Sequence, residues 1–291
     1  MSAGFAVFNS CEKGVDSSKE TDSDVTLDSI LLDIEHSSLV VGEMFLIDVT
    51  FQPVNVTDST IVWTSSNNDI VSVSNNGLVT ATALGNATIT ARVGDKIAHL
   101  RLSVKDGVRV NGATIWAKYN VNTFGTFTQS SESAGKFYQW GRTTAWSTIG
   151  DVTGWNSTPQ TGSFWLANND PCPEGWRLPT RFEFDVLGQG SIPHIFTTIN
   201  GVSGRLFGTE PNQFFLPAVG YREEDGKLNS ISWNGFINGY YWSSTADQYP
   251  VSNSNAYAFR FDNDPEYSGI GGYGGSKLVG FCIRCVAKEY K

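Results

Sequence analysis

Apolar and polar residues alternate through residues 28–105. Phe45, Ile47, Val49 and Phe51 fall on one side of the pleat, as do Ala87, Ile89 and Ala91, and then Ala98, Leu100, Leu102 and Val104. A repeat of two places each set on one face of a strand. Asn75-Asn76-Gly77 and Gly94-Asp95 carry hairpin signals, and Pro53 and Gly85 mark further breaks. About seven short strands in about 80 residues, with no helical period, predict a mainly β sandwich of immunoglobulin type.

Beyond Lys105-Asp106-Gly107 the pattern changes. Strands shorten, Gly-, Ser- and Asn-rich loops separate them, and eight of the nine Trp fall here. The run CPEGWRLPTRFEFDVL at 172–187 predicts a helix. Pro179 holds Leu178 extended, and Thr180 and Glu183 have capping-box spacing. Phe182, Val186 and Leu187 supply an apolar stripe, and Gly188 and Gly190 stop the helix after about two turns. A second helix is expected near 165–169. The segment 107–291 therefore reads as an α+β domain with a small twisted sheet and much ordered loop. Trp140, Trp176 and Trp242 are expected to anchor the loops.

At the other end, MSAGFAVFNS precedes Cys11. This apolar stretch is too short to span a bilayer and lacks a basic start, and it resembles the end of a bacterial lipoprotein signal (1–11). Cys11 is then the lipidated residue; the competing reading is an ordinary thiol. A flexible acidic tether follows over 12–27, where Glu12, Asp16, Glu20, Asp22 and Asp24 outnumber Lys13 and Lys19. The chain carries a formal charge of -9 and has no basic run, which argues against nucleic acid and against anionic membrane as direct partners. A lipid anchor is the expected membrane link, with export to the outer membrane or cell surface.

Two resemblances refine the domains. LVVGE at 39–43, VWTSSN at 62–67, GLVTA at 77–81 and GNATITA at 85–91 resemble the bacterial immunoglobulin-like group 2 domain, commonly a spacer in adhesins. GKFYQWGR at 135–142, the 172–187 run, FFLPAVGYR at 214–222, YYWSST at 240–245 and GFCIRCVA at 280–287 resemble the Fibrobacter succinogenes major paralogous domain. That family is abundant in Bacteroidetes surface proteins and is similar to the C-type-lectin-like fold shared with formylglycine-generating enzymes. The resemblance implies a disulfide between Cys172 and Cys285. Cys282 is left over as a small buried hydrophobe, or, with Cys285, as a C-x-x-C for copper chemistry of the formylglycine-generating type.

Histidine is scarce. Only His194 lies in the second domain, expected in a loop, so a Ser-His-Asp triad or a His-rich zinc site is not supported. Glu210-Pro211-Asn212 coincides with the EPN tripeptide through which many C-type lectins bind calcium and mannose-type sugars; Asp262 and Asp264 are the nearest acids to complete a calcium set. The competing reading is a polar turn. Trp233, Asn234, Phe236, Tyr267 and Tyr273 put aromatics beside amides and glycines, which suits a glycan or a protein surface. The expected function is adhesion or ligand binding by a lectin-like head on an immunoglobulin-like spacer, without enzymatic activity and without a cofactor beyond calcium. The alternatives are an accessory or tip subunit of a surface fibre and a copper-dependent oxidase.

Overall fold

A computed structural model describes residues 25–34, 37–110, 114–188, 190–230, 235–246, 254–264 and 271–289. The chain is mainly β. Cys11 and residues 12–24 of the acidic tether lie outside the described residues, and its end is held by Val25, which exchanges hydrogen bonds with Thr57.

The first domain is a sandwich. One sheet orders Ser38–Val40, Lys96–Lys105, Gly85–Val93 and Val62–Ser65; the other orders Met44–Leu46, Leu78–Ala81 and Val71–Val73. Ser29–Asp33 pairs with Asp48–Gln52 alongside. Ile47, Ala87, Ile89, Leu100, Leu102 and Val104 form the core with Val71 and Val79, as the alternation requires. Trp63 packs against this core. Gly77, at φ +81°, lets the chain turn where a Cβ would come within 3.0 Å of the Trp63 ring.

Asp106 alone separates the last strand of the sandwich from Gly107–Val110, the first strand of the head. The junction is polar and specific. The Glu289 carboxylate accepts from Ser37 N, Ser37 Oγ and Ser38 N at 2.9–3.0 Å, and Arg109 bonds Glu43 and the Ser38 carbonyl.

In the head, Thr114–Asn120 lies between Gly107–Val110 and Arg284–Ala287, so the beginning and end of the domain share one sheet, with Trp176–Arg177 at its edge. Three further sheets join His194–Ile199, Val202–Thr209 and Asn212–Pro217; Asn238–Ala246, Asn255–Asp262 and Gly271–Ser276; and the short strands Tyr138–Gln139, Gly280–Phe281, Tyr221–Arg222 and Leu228–Asn229. Among the described residues the only α-helix is Arg181–Gly188, accompanied by a 3-10 turn at Ala167–Asn169. Helix is therefore a smaller part of the head than the α+β expectation held.

The predicted cap forms: Glu183 Oε2 accepts from Thr180 N at 2.7 Å and Thr180 Oγ1 at 2.9 Å, and Glu183 N donates to Thr180 Oγ1. Arg177 adds two bonds to the same carboxylate. The stripe is rotated, however. Phe182 is 74% exposed, while Phe184 and Leu187 are buried. Phe184 takes the inward position because Trp116 and Phe259 stand at 5.2 and 5.0 Å to receive its ring.

Trp140 and Trp242 tie loops to strands through indole bonds to the Ser243 and Tyr138 carbonyls. Two buried arginines do the same. Arg284 bonds Asn120 Oδ1 and the Ala117 and Phe215 carbonyls, and Arg222 bonds the Ser147, Gly150 and Gly226 carbonyls. Each planar fork satisfies two or three backbone carbonyls at once.

Candidate functional site

One polar and aromatic face is assembled from three separate parts of the head. In the sheet of Asn238–Ala246, Asn255–Asp262 and Gly271–Ser276, Tyr240 pairs with Arg260, Asn238 with Asp262, and Ala258 with Tyr273. Directly paired residues share a face, so Asn238, Tyr240, Arg260, Asp262 and Tyr273 all point one way. The Tyr221–Arg222 hairpin is brought alongside by a bridge between Gly220 and Gly239, and by Gly220 N bonding the Asn238 carbonyl at 2.8 Å.

Tyr240 is the centre of the group. Tyr221 and Tyr273 meet its ring edge-on at 4.9 and 5.6 Å, and Phe281 stacks beneath it at 4.9 Å. Phe281 fills the core side, and Tyr273 stays 42% exposed. On the Tyr221 side, Glu223 Oε1 accepts from the Tyr221 hydroxyl at 2.8 Å and from Asn229 Nδ2 at 2.7 Å. On the other side Arg260 bonds Asp262 at 2.7 Å. Burial, then the Glu223 carboxylate, holds the Tyr221 phenol well above its ordinary range. Burial also raises the Tyr240 phenol, although Arg260 beside it offsets part of the effect. Both phenols remain protonated donors at neutral pH. Among the described residues Asn238 Oδ1 and Arg260 Nε are buried without a hydrogen-bond partner.

Of the residues singled out from the sequence, Tyr273 stands on this face, and Phe236 precedes the strand that carries Tyr240. Trp233, Asn234 and Tyr267 lie outside the described residues. Tyr221, Glu223, Asn229, Tyr240 and Arg260 were not singled out, because only register brings them together.

The calcium set is not assembled. Glu210 and Asn212 flank the turn between Val202–Thr209 and Asn212–Pro217, whereas Asp262 is held by Arg260 and accepts from Asp264 N. Among the described residues no group of three or more His, Cys, Asp and Glu could hold a metal ion. Nor is His194 in a loop. It opens the strand His194–Ile199, where the Pro193 carbonyl accepts from Gly208 N, and its Nδ1 lies 3.0 Å from Arg205.

Cys172 is joined to Cys285. Cys282 is a buried free thiol whose Sγ lies 3.5 Å from the Ala134 carbonyl, and burial pushes its pKa far up, so it is a thiol rather than a thiolate at neutral pH. With Cys285 committed to the disulfide, the C-x-x-C is not a dithiol.

Comparison with known proteins bears on the first domain. Residues 27–103 match the bacterial Ig-like domain (group 2). This Ig-like domain is also where the predicted strands and core fall. An uncharacterized protein of Clostridium acetobutylicum is 37% identical over 57 residues, which are 20% of this chain and 14% of that protein. The chain thus spans about one seventh of that relative's length. Among solved structures, domains 4 and 5 of the S-layer protein SbsC are 27% identical over 27% of this chain and 52% of that one, with a TM-score of 0.23. Invasin, a bacterial integrin-binding protein, is 12% identical over 90% of this chain and 39% of its own, with a TM-score of 0.24. No described helix is long and apolar enough to cross a membrane.

Proposed function

We propose that this chain is a surface-displayed, non-enzymatic binding protein, anchored through Cys11, whose Ig-like domain presents a C-type-lectin-like head to a saccharide. The observation that carries this reading is the convergence of Tyr221, Tyr240 and Tyr273 with Glu223, Asn229 and Arg260. An exposed aromatic ring offers a stacking surface for the C–H face of a sugar, and fixed carboxylate, amide and phenol groups fix its hydroxyls. Pairing of the head's first and last strands, and the tie from the helix entry to the last strand, support the lectin-like reading of the fold. Recognition at this face is expected without calcium, because Asp262 is engaged by Arg260 and Glu223 alone offers too few hard oxygen ligands for the ion.

A glycan array probed with the full chain, in calcium and again in chelator, tests this. Binding to a saccharide family in both conditions is expected. Binding in calcium alone, lost in Glu210→Gln, would move the site to the Glu210–Asn212 turn, and absence of binding in both would overturn the saccharide reading.

The fibre-subunit reading has one observation in its favour: Gly271–Ser276 is an edge strand without Lys, Pro or acid to discourage pairing. Concentration-dependent assembly in sedimentation would favour it. The oxidase reading would require copper-dependent oxygen consumption, which a buried, protonated Cys282 does not favour.

A further inference from the structure

Glu223 stands out on the candidate face for its charge. Asp262 is neutralised by Arg260, and Lys227, the nearest cation along the hairpin, is bonded to Asp225 at 2.6 Å. Among the described residues no cation pairs with Glu223. Its Oε1 is held by two neutral donors, the Tyr221 hydroxyl and Asn229 Nδ2, and among the described residues no donor reaches its Oε2. These two bonds fix the direction of the carboxylate, and the hairpin carrying it is itself pinned, because Arg222 between Tyr221 and Glu223 is locked into the Ser147, Gly150 and Gly226 carbonyls. The result is an oriented anion beside an aromatic surface, with one oxygen open.

Resting on the saccharide reading above, we propose that Glu223 makes this face select sugars that carry a protonated amine over the same sugars acetylated or carboxylated. A glycosidic ammonium supplies the charge and the donor that Oε2 lacks, and tyrosine faces attract cations as well. An acetamido group keeps a donor but no charge, and a uronate places like charge against Glu223. A single half-buried ion contact of this kind corresponds to a preference of up to about fivefold, weaker at high salt.

The test is titration of the full chain with tri-glucosamine, tri-N-acetylglucosamine and tri-galacturonate at about pH 6, where the free sugar amine carries a proton. The expected order is amine, then acetamide, then carboxylate, with up to about fivefold between the first two. In Glu223→Gln that ratio should collapse toward one, and Tyr273→Ala, which removes a ring packed on Tyr240 and Phe281 and leaves both hydrogen bonds to Glu223 in place, should weaken all three sugars while keeping the ratio. Equal affinity for amine and acetamide in the unmodified protein, or a ratio that survives Glu223→Gln, overturns the assignment to Glu223 while leaving saccharide binding intact. Absence of binding to all three, together with a silent glycan array, overturns both.

Discussion

Breaking the Cys172–Cys285 bond should lower the stability of the head alone, by an amount set by its loop. The bond closes 113 residues of chain. Loop-closure entropy for that length corresponds to about 5 kcal/mol at 25 °C. For a unit of the head's size each kcal/mol moves Tm by about 2 to 4 °C, so the head should melt about 10 to 20 °C lower after reduction. The Ig-like domain contains no cysteine and serves as an internal control. Differential scanning calorimetry of the full chain, oxidised, reduced, and as Cys172→Ala/Cys285→Ala, should show one transition falling and the other holding within about 2 °C. An unmoved head transition would refute the entropic argument, and equal movement of both would refute the separation into two units.

Three further outcomes follow from the interior of the head. Arg284→Met should cost about 2 to 4 kcal/mol in denaturant unfolding, since it strands Asn120 Oδ1 and the Ala117 and Phe215 carbonyls while relieving the desolvation of a buried cation. Spectrophotometric titration should leave Tyr138, Tyr221, Tyr241 and Tyr257 un-ionised near pH 10; burial raises all four. A phenol raised in the folded state stabilises fully below its unfolded pKa and is lost above it, so their absorbance should appear together with alkaline unfolding. Glu183 shows the opposite sign. Burial pushes it up, but Arg177 and Thr180 more than offset this and leave it lowered, so its contribution is present above about pH 4.5 and is lost on acidification; Glu183→Gln should flatten that acid limb.

How far these features were legible in the sequence differs between the two domains. In the Ig-like domain each strand buries one face, and a repeat of two records which residues those are, so Ile89 and Leu102 were placed correctly from spacing alone. The Thr180-x-x-Glu183 cap is equally local. In the head several strands are two residues long, as at Tyr221–Arg222 and Gly280–Phe281, and two residues set no period. Arg222 and Arg284 are wholly buried because acceptors far off in sequence reach them, the Ser147 and Gly150 carbonyls for the one and Asn120, Ala117 and Phe215 in two strands for the other. The candidate face was hidden for the same reason: Tyr221, Tyr240 and Tyr273 meet only through the Gly220–Gly239 bridge and the pairing of Ala258 with Tyr273. Phe182 was misassigned because a two-turn helix has room for more than one apolar stripe. The cation set drawn around Glu210 and Asp262 failed because tripeptide identity carries no information about the second half of a site.

The central claim is that the tyrosine face holds the ligand, and Tyr273 is its exposed ring. The most direct measurement is calorimetric titration of the full chain with the strongest saccharide from the array, before and after Tyr273→Ala. Loss of a stacking ring should weaken binding by about tenfold, with Tm lowered by no more than about 6 °C from the lost edge-on contact with Tyr240; an affinity that Tyr273→Ala does not alter would contradict the account.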